Sequence, residues 1–320
     1  MKLKPFMFIS RIQISDQVLP RSIQRLLRKK IAIICILALI LLYTCGVFAE
    51  CVSPYGYTDQ DYSSILQSPN SDHWAGTDRT GRDILTRTFW GVQNTLILTV
   101  VAMLTGGLII GVTLGLLAGY MGGKTDGLIM RVGEIFASFP DILLVIILAA
   151  TLRPRILELA RWVEDNTAIE GIIRTGVVDY FVVSFALVAF GWVGMARLVR
   201  GQILALRETD YIEAARVIGA STNRILFMHL LPNCISVIIV TVSMGMGALT
   251  GTEIVLSWLG LGIQPPRPSL GTMLLGAGNI GTLRDTPWEL LIPGLAAFIM
   301  VVAWNLLGDA LSDALNPRTR

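Results

Sequence analysis

The chain has 320 residues, of which 53% are hydrophobic and only 15% are charged, and its formal net charge at pH 7 is +3. Soluble domains average about 25% charged residues, and the mean hydropathy here is +0.64, so the composition excludes a disordered tail and argues against a soluble enzyme. The four cysteines contain no CxxC pair, which supports neither a disulfide framework nor a zinc site.

Six apolar stretches are long enough to cross a bilayer, which takes about 20 residues. They predict an all-α integral membrane protein with six transmembrane helices, at 31–49, 93–118, 127–151, 180–199, 235–262 and 290–308. The first stretch follows a long charged leader, which favours a retained helix over a cleaved signal peptide.

Lysine and arginine predict the orientation of the helices, because loops rich in these residues stay in the cytoplasm. Eight of them lie within residues 1–30, so both termini are expected to be cytoplasmic. The predicted organisation is then as follows: a basic cytoplasmic segment 1–30, a first helix 31–49, an extracytoplasmic segment 50–92, a five-helix core 93–309 and a cytoplasmic tail 310–320.

Two segments interrupt the predicted core. The outer segment 152–179 carries four arginines accompanied by acidic residues, and this mixed pattern predicts one or two amphipathic helices outside the membrane. The inner loop 200–233 predicts a helix from Leu204 to Arg216 that stops at Gly219, because glycine commonly follows a helix end. Serine and threonine then favour a second helix, capped by Ser221 or Thr222, over 223–230, with Pro232 as its end.

Glycines recur every fourth residue in the second stretch, at Gly107, Gly111, Gly115 and Gly119. Small residues at this spacing share one helix face and allow close packing in lipid. Packing within one bundle is the simpler interpretation, and packing against a second subunit is the alternative.

Two carboxylates fall within predicted spans, where a charge is costly and should face protein or water. Glu134 follows Arg131 by three residues, which predicts an ion pair. Glu253 has no charged partner in its own stretch. A structural hydrogen bond and, together with Ser257, a place on a translocation path both remain open for it.

Residues that could carry chemistry are sparse. Residues 118–125 approach a phosphate-binding P-loop, but such a loop joins a strand to a helix, and here it would join two apolar spans. The two histidines, His73 and His229, lie on opposite sides of the membrane in the predicted topology. The sequence therefore predicts no catalytic site, no metal site and no cofactor bound by this chain.

Several motifs resemble a known family. Glu213-Ala214-Ala215, Gly219 and the segment His229 to Pro232 resemble the EAA loop in permease subunits of binding-protein-dependent ABC importers, and the histidine is usual in the dipeptide, oligopeptide and nickel subgroup. Further segments resemble the C-type subunit of that subgroup: 73–83, 196–202, 257–266, 305–309 and 313–317. The resemblance covers residue 24 to the end. Trp258 replaces the usual phenylalanine, and 152–179 is longer than in the family.

This resemblance implies an ABC type I importer permease fold in the bacterial cytoplasmic (inner) membrane. It implies as partners a second homologous permease, two ATPase subunits that hold ATP and Mg, an extracytoplasmic substrate-binding protein and membrane lipid, but no nucleic acid. It also implies that the EAA loop couples to the ATPases. The residues expected there are Glu213, Ala214, Ala215, Gly219, Ala220, Ser221, Leu231 and Pro232.

The expected cargo is peptide, with nickel chelates, glutathione or another small solute as alternatives. An ion-coupled secondary transporter or channel and an intramembrane enzyme are the competing classes. The first would need intramembrane ionisable relays or repeated halves. The outer segment 152–179 is expected to contact the binding protein or the partner permease, with a solvated cap as the alternative.

Overall fold

The computed structural model describes residues 23–167 and 171–315. These residues form helices joined by turns and irregular loops. The predicted segments at 1–30 and 310–320 therefore lie partly outside the described residues, as does the middle of 152–179. The helices are α1 (Lys30–Val47), α2 (Ile84–Met121), α3 (Gly123–Ala137), α4 (Asp141–Asn166), α5 (Val177–Leu206), α6 (Asp210–Val217), α7 (Thr222–Trp258), α8 (Leu270–Ala277), α9 (Ile280–Asp285) and α10 (Trp288–Leu315). Short helical turns lie at Ala49–Val52 and Tyr62–Ser64.

Within this described part, five helices are long and apolar enough to cross a membrane: α1, α2, α5, α7 and α10. Helices α3 and α4 meet at an angle of 87° across a short break. If this bent pair counts as one broken span, it supplies a sixth crossing. The third predicted span, 127–151, is therefore not a straight helix. Pro140 explains the break, since proline lacks an N–H and disfavours a helical residue before it.

Helix α4 is longer than the predicted third span. It continues without interruption to Asn166, so the first half of the segment 152–179 is an extension of a membrane helix and not a separate element. A turn over 171–176 then leads to α5, and Gly176 lies in it with φ +74°. Helices α4 and α5 pack against each other along this hairpin.

Three of the predicted glycines pack on α5 of the same chain. A Cβ added at Gly115 would lie 2.7 Å from the carbonyl oxygen of Ala196, and one at Gly119 would lie 2.6 Å from Cβ of Ile203. Gly111 is similarly close to Met195. The interpretation of close packing within one bundle is therefore confirmed for these glycines.

Gly107 departs from the predicted face. A Cβ added there would meet Met103 of its own helix, whereas one at Gly106 would lie 3.2 Å from Val188 on α5. The residues Met103–Val112 form wide π-helical turns, which change the number of residues per turn and so move the face by one position.

The bundle has α2, α5 and α7 at its centre, with α10 packed on α7 and α1 packed on α10. On the predicted inner side, an ion pair joins α3 to α5: Nη2 of Arg200 donates to Oδ2 of Asp126 at 2.6 Å. The predicted pair of Arg131 and Glu134 is not among the ion pairs of the described residues, in which the ion pair of α3 is the one between Asp126 and Arg200.

Candidate coupling site and outer polar network

Helix α6 lies in the loop between α5 and α7. Asp210 and Glu213 fall in its first turn, where acidic side chains favour the helix dipole. At its end, Gly219 takes φ +84°, its N–H donates to the Arg216 carbonyl at 2.9 Å, and the Ala220 N–H donates to the carbonyl five residues earlier at 3.0 Å. These two bonds form a Schellman motif, so the prediction that Gly219 ends this helix is confirmed.

Helix α7 begins at Thr222, three residues after Gly219. The Ser221 side chain accepts a hydrogen bond from the backbone N–H of Arg224, which makes Ser221 the N-cap. The prediction that Pro232 ends this helix is wrong, because α7 runs on to Trp258. The preceding residues Ile225–Leu230 form wide π-helical turns, and such local adjustments accommodate a proline inside a membrane helix.

The predicted first helix is also divided differently. Helix α5 ends at Leu206, and a turn over 207–209 separates it from α6, so the predicted helix Leu204–Arg216 is two helices. Thr209 takes an extended conformation and allows α6 to leave the direction of α5.

Helix α6 is fixed to the inner ends of three membrane helices. Ile212 is fully buried in a cluster with Ile203 of α5 and Leu230 of α7. At the end of α2, the guanidinium of Arg216 lies 5.1 Å from the centre of the Tyr120 ring. Movement of α6 must therefore be shared by the ends of α2, α5 and α7.

The turn before α6 makes a further, polar contact with the inner end of α2 through the guanidinium of Arg207. Nη1 of Arg207 donates to the carbonyl oxygen of Gly119 at 3.0 Å. That carbonyl lies in the last turn of α2, where a cation is favoured.

The opposite side of α6 faces away from the bundle. Val217 is 83% exposed and Ile218 is 78% exposed. Both side chains are therefore largely free of packing within this chain. Together, Val217 and Ile218 form a compact apolar surface at the end of α6, which we call the apolar tip. Such a tip, surrounded by polar residues, is suited to contact another protein.

A second polar site lies deep in the outer half of the bundle. Glu253 and Ser257 are both fully buried on α7. The Ser257 hydroxyl donates to Oε1 of Glu253, and the Thr95 hydroxyl of α2 donates to Oε2, each at 2.7 Å. Glu253 therefore ties two helices together, as the structural hydrogen-bond interpretation expected.

The contacts of this region extend to the loop after α7. The side-chain amide of Asn94 donates to the carbonyl oxygen of Pro268 at 2.6 Å, and the Tyr180 hydroxyl donates to the Asn94 side chain. A guanidinium, that of Arg267, lies 5.7 Å from the centre of the Tyr180 ring. Helices α2 and α5 and the loop are thus held together by polar side chains.

The outer loop before α2 is built from its own hydrogen bonds. Asp83 caps α2 by accepting from the Thr86 N–H at 2.7 Å, and it lies 3.0 Å from Nδ1 of His73. Burial alone would raise the pKa of Asp78, but hydrogen bonds from Thr80 and Arg82 and the charge of Arg82 hold it below its ordinary value. These residues belong to the segment 73–83 and position the start of the helix.

A neighbouring carboxylate stabilises the same loop. The side chains of Ser63 and Ser64 each donate to Asp61 at 2.6 Å, and these bonds lower the pKa of Asp61 to about 2. A Cβ added at Gly81 would lie 1.9 Å from the Asp61 carbonyl oxygen, so only glycine fits there.

Comparison with known proteins identifies the family to which this helical bundle belongs. Residues 111–320 match the family described as binding-protein-dependent transport system inner membrane component, and residues 21–69 match the N-terminal TM domain of oligopeptide transport permease C. The chain belongs to this family of inner membrane transport components. It is accordingly a multi-pass permease subunit of an ABC importer in the inner membrane.

Individual relatives cover nearly the whole permease. The oligopeptide transport system permease protein OppC of Bacillus subtilis is 34% identical over 91% of this chain and 87% of its own length. The glutathione transport system permease protein GsiD of Pectobacterium atrosepticum is 38% identical over 93% of this chain and 90% of its own. The dipeptide transport system permease protein DppC of Alkalihalophilus pseudofirmus is 34% identical over 93% and 90%.

In this permease the predicted EAA-loop residues fall on two connected elements. Glu213 and Ala214 are exposed on α6, and Gly219 and Ser221 are exposed in the turn after it. Ala215 and Ala220 are half-buried against the inner cluster. Leu231 and Pro232 lie further along, in α7.

The residues that hold α6 in place, and those that it presents outward, were not among the predicted site residues. Ile212, Arg207 and Tyr120 form the attachment, and Val217 and Ile218 form the exposed tip. One signal was available for the tip, since Val217 and Ile218 are two adjacent large apolar residues directly before the helix-ending glycine, in a loop predicted to lie outside the membrane. The attachment joins residues about 90 positions apart, as in the 88 that separate Arg207 from Gly119, and has no local signal.

Proposed function

We propose that this permease forms half of the pathway of an ATP-driven peptide importer and that α6 is its coupling helix. The observation that carries the proposal is the attachment of α6. Ile212 and Arg216 attach it to three membrane helices, while Val217 and Ile218 are left exposed at its tip. A helix of this kind transmits a push from a bound cytoplasmic protein to the bundle.

Partner ATPase subunits supply that push. They bind ATP and Mg and hydrolyse ATP, while this chain contributes no catalytic residue. Closing of the ATPases moves the coupling helices of two paired permeases, and the bundle changes between an inward-open and an outward-open arrangement. This is rocking of packed bundles biased by ligand binding. The family description itself names the remaining partner, a binding protein.

The orientation supports this assignment. Counting the broken pair α3 and α4 as one span gives six crossings, and the basic N-terminal segment places the first end of α1 in the cytoplasm. Helix α6 then lies on the cytoplasmic side, where ATP is available. The loop before α2 and helices α8 and α9 then face the outside.

The peptide cargo is inferred from the relatives. Their names specify oligopeptide, dipeptide and glutathione transport, and glutathione is itself a short peptide. The shared chemistry is an amide backbone with charged ends. Identity of 38% to the glutathione permease makes glutathione a specific second candidate for the cargo.

The test is transport by a reconstituted complex. The permease would be co-expressed with the second permease and ATPases encoded near it, placed in liposomes, and supplied with each neighbouring binding protein. We expect one binding protein to stimulate ATP hydrolysis and ATP-dependent uptake of a labelled dipeptide, tetrapeptide or glutathione. Uptake driven by a proton or sodium gradient without ATP would contradict the proposal.

A further inference from the structure

An acidic residue without a partner lies where the broken span changes direction. Asp141 is the first residue of α4, directly after Pro140, and its side chain is exposed. Within residues 23–167 and 171–315 it makes no ion pair, and its carboxylate accepts no hydrogen bond. Glu253, the acidic residue inside α7, is by contrast fully buried and accepts from two hydroxyl groups. The group that balances the charge of Asp141 must therefore come from outside this chain.

Contacts with α5 limit the depth of Asp141 from the inner side, because α3 runs along α5 in the opposite direction. Asp126 of α3 pairs with Arg200, and ten residues further along α3 the Phe136 ring lies 5.2 Å from the Phe190 ring. Phe190 precedes Arg197 by seven residues, so the end of α3 lies about 10 Å outward from this arginine. The break between α3 and α4 is thus well removed from the charged inner end of α5.

The outer limit comes from α4 itself. Arg153 pairs with Asp179 of α5 at 3.0 Å, and the segment 142–152 before it contains no charged residue. Asp141 precedes Arg153 by 12 residues, which is about 18 Å along the helix axis. On α5, Asp179 and Arg197 enclose an uncharged stretch and are 18 residues apart, or about 27 Å, close to the hydrocarbon thickness of about 30 Å. Since charges avoid hydrocarbon, these contacts place Asp141 inside the apolar layer, between two charged levels.

Asp141 lies on the side of α4 that packs on the bundle. Residues four apart share a helix face, so Asp141 is in line with Val145 and Ala149, which are buried in a cluster with side chains of α5. The opposite side of α4 carries Leu143 and Ile147, which are 50% and 59% exposed and suit contact with lipid. Asp141 is therefore exposed at an opening on the protein side of the helix and not on its lipid side.

We propose that Asp141 lines the translocation pathway and binds the amino-terminal ammonium group of the peptide as it passes. The inference rests on the proposed function, which makes a peptide the cargo. A carboxylate in the apolar layer faces protein or water, and such residues mark substrate pathways. The helix dipole favours an acid in the first turn of α4, but it contributes less than a charge in hydrocarbon costs. Peptides of any sequence share a free ammonium end, and a carboxylate binds that group by charge-assisted hydrogen bonds.

The first experiment measures whether water reaches this side chain in the assembled complex. Asp141→Cys and, as the matched control, Ile147→Cys would be treated with a cationic methanethiosulfonate reagent, which reacts with ionised thiols in water. The labelling of the parent chain, which has four free cysteines, is subtracted. We expect Asp141→Cys to react about tenfold faster than Ile147→Cys. Equal rates would mean that lipid or the second permease covers position 141, and they would overturn the proposal.

The second experiment measures the contribution of the charge. Asp141→Asn keeps the shape of the side chain and should lower uptake of a labelled dipeptide about tenfold at saturating binding protein and ATP. Asp141→Glu retains the charge and should keep most of the uptake. Glu158→Gln is the matched control and should be neutral, because Glu158 is an exposed carboxylate of α4 beyond Arg153. Unchanged uptake in Asp141→Asn, or an equal loss in Asp141→Glu, overturns the proposal.

The wild-type complex separates this inference from the proposed function. ATP-dependent dipeptide uptake by the wild type would show that the proposed function holds, whatever the Asp141 variants do. Absence of that uptake would count against the proposed function, while the thiol measurement would still decide whether Asp141 faces water.

Discussion

The Thr95 hydroxyl of α2 donates a 2.7 Å hydrogen bond to Oε2 of Glu253 on α7, and the other carboxylate oxygen accepts from Ser257. Both donors are neutral, and all three side chains are fully buried. The carboxylate therefore holds two central helices together. Because the site is fully buried, we expect no water to replace one of these hydrogen bonds when a substitution removes it. This explains why an acidic residue is tolerated inside an apolar helix.

Truncation at this position should destabilise the bundle. Glu253→Ala leaves two buried hydroxyls without their acceptor and opens a cavity, which we expect to cost about 2–4 kcal/mol of unfolding free energy. Glu253→Gln keeps the shape and one acceptor and should retain most of the stability. Thermal unfolding in detergent measures both effects.

Thr252→Ala is the control for that series, because the Thr252 hydroxyl bonds only to Ala248 within its own helix. An equal effect of Thr252→Ala and Glu253→Ala would contradict the account. Loss of uptake in a stable Glu253→Gln protein would instead assign Glu253 to the translocation path.

Two isoleucines of the coupling region allow attachment and docking to be separated. Ile212 is fully buried, and Ile218 is 78% exposed six residues later. Ile212→Ala should loosen α6 from the bundle at a cost of about 2–5 kcal/mol, visible as faster hydrogen exchange over 207–221. Ile218→Ala should leave exchange unchanged and weaken ATPase co-purification. Faster exchange in Ile218→Ala together with weaker ATPase co-purification in Ile212→Ala would mean that α6 turns its Ile218 side to the bundle and its Ile212 side to the ATPase.

Gly219 tests whether the end of α6 must be left-handed. Its φ is +84°, and no atom lies within 4 Å of an added Cβ, so only backbone conformation opposes a side chain. Gly219→Ala should cost about 1–2 kcal/mol locally and reduce uptake per ATP hydrolysed, while Gly219→Asn should be milder, because asparagine tolerates this conformation. Gly201→Ala is the control, since Gly201 lies in α5 and an added Cβ there also meets nothing. Equal coupling ratios for all three variants would rule out this role.

The contact between α2 and α5 gives a further prediction. Gly115→Ala would place a Cβ 2.7 Å from both the Ala196 carbonyl oxygen and Cβ of Val199, so the helices must separate. We expect a loss of about 1–3 kcal/mol, measured by thermal unfolding. Gly194→Ala on α5, where an added Cβ meets no atom within 4 Å, should be neutral or slightly stabilising. A neutral Gly115→Ala would show that the two helices are not in close contact.

Features that depend on neighbouring residues could be predicted from the sequence. Gly219 ends a helix because its own φ and two backbone bonds decide that conformation, and Ser221 caps the next helix through a residue three positions away. The apolar stretches were found because length and composition suffice to indicate a span.

Features that depend on distant residues could not be predicted. Prolines show this most clearly: Pro140 breaks a helix, whereas Pro154 and Pro293 lie inside helices and Pro232 lies just after a π-helical turn. Because the same residue type breaks one helix and is accommodated inside others, a proline alone does not predict where a helix ends. The partner of Glu253 on the other helix, Thr95, is 158 positions away in the chain, so no local pattern indicates it.

The central claim is that α6 contacts the ATPases on the cytoplasmic side, and one crosslinking measurement tests it most directly. A benzophenone amino acid would replace Ile218 or, separately, Ile280 of α9, which is an isoleucine of similar exposure on the opposite side of the membrane. The account predicts a light-dependent adduct with the ATPase from position 218 and none from position 280. An ATPase adduct from position 280, or none from position 218 in a complex that transports, would contradict it.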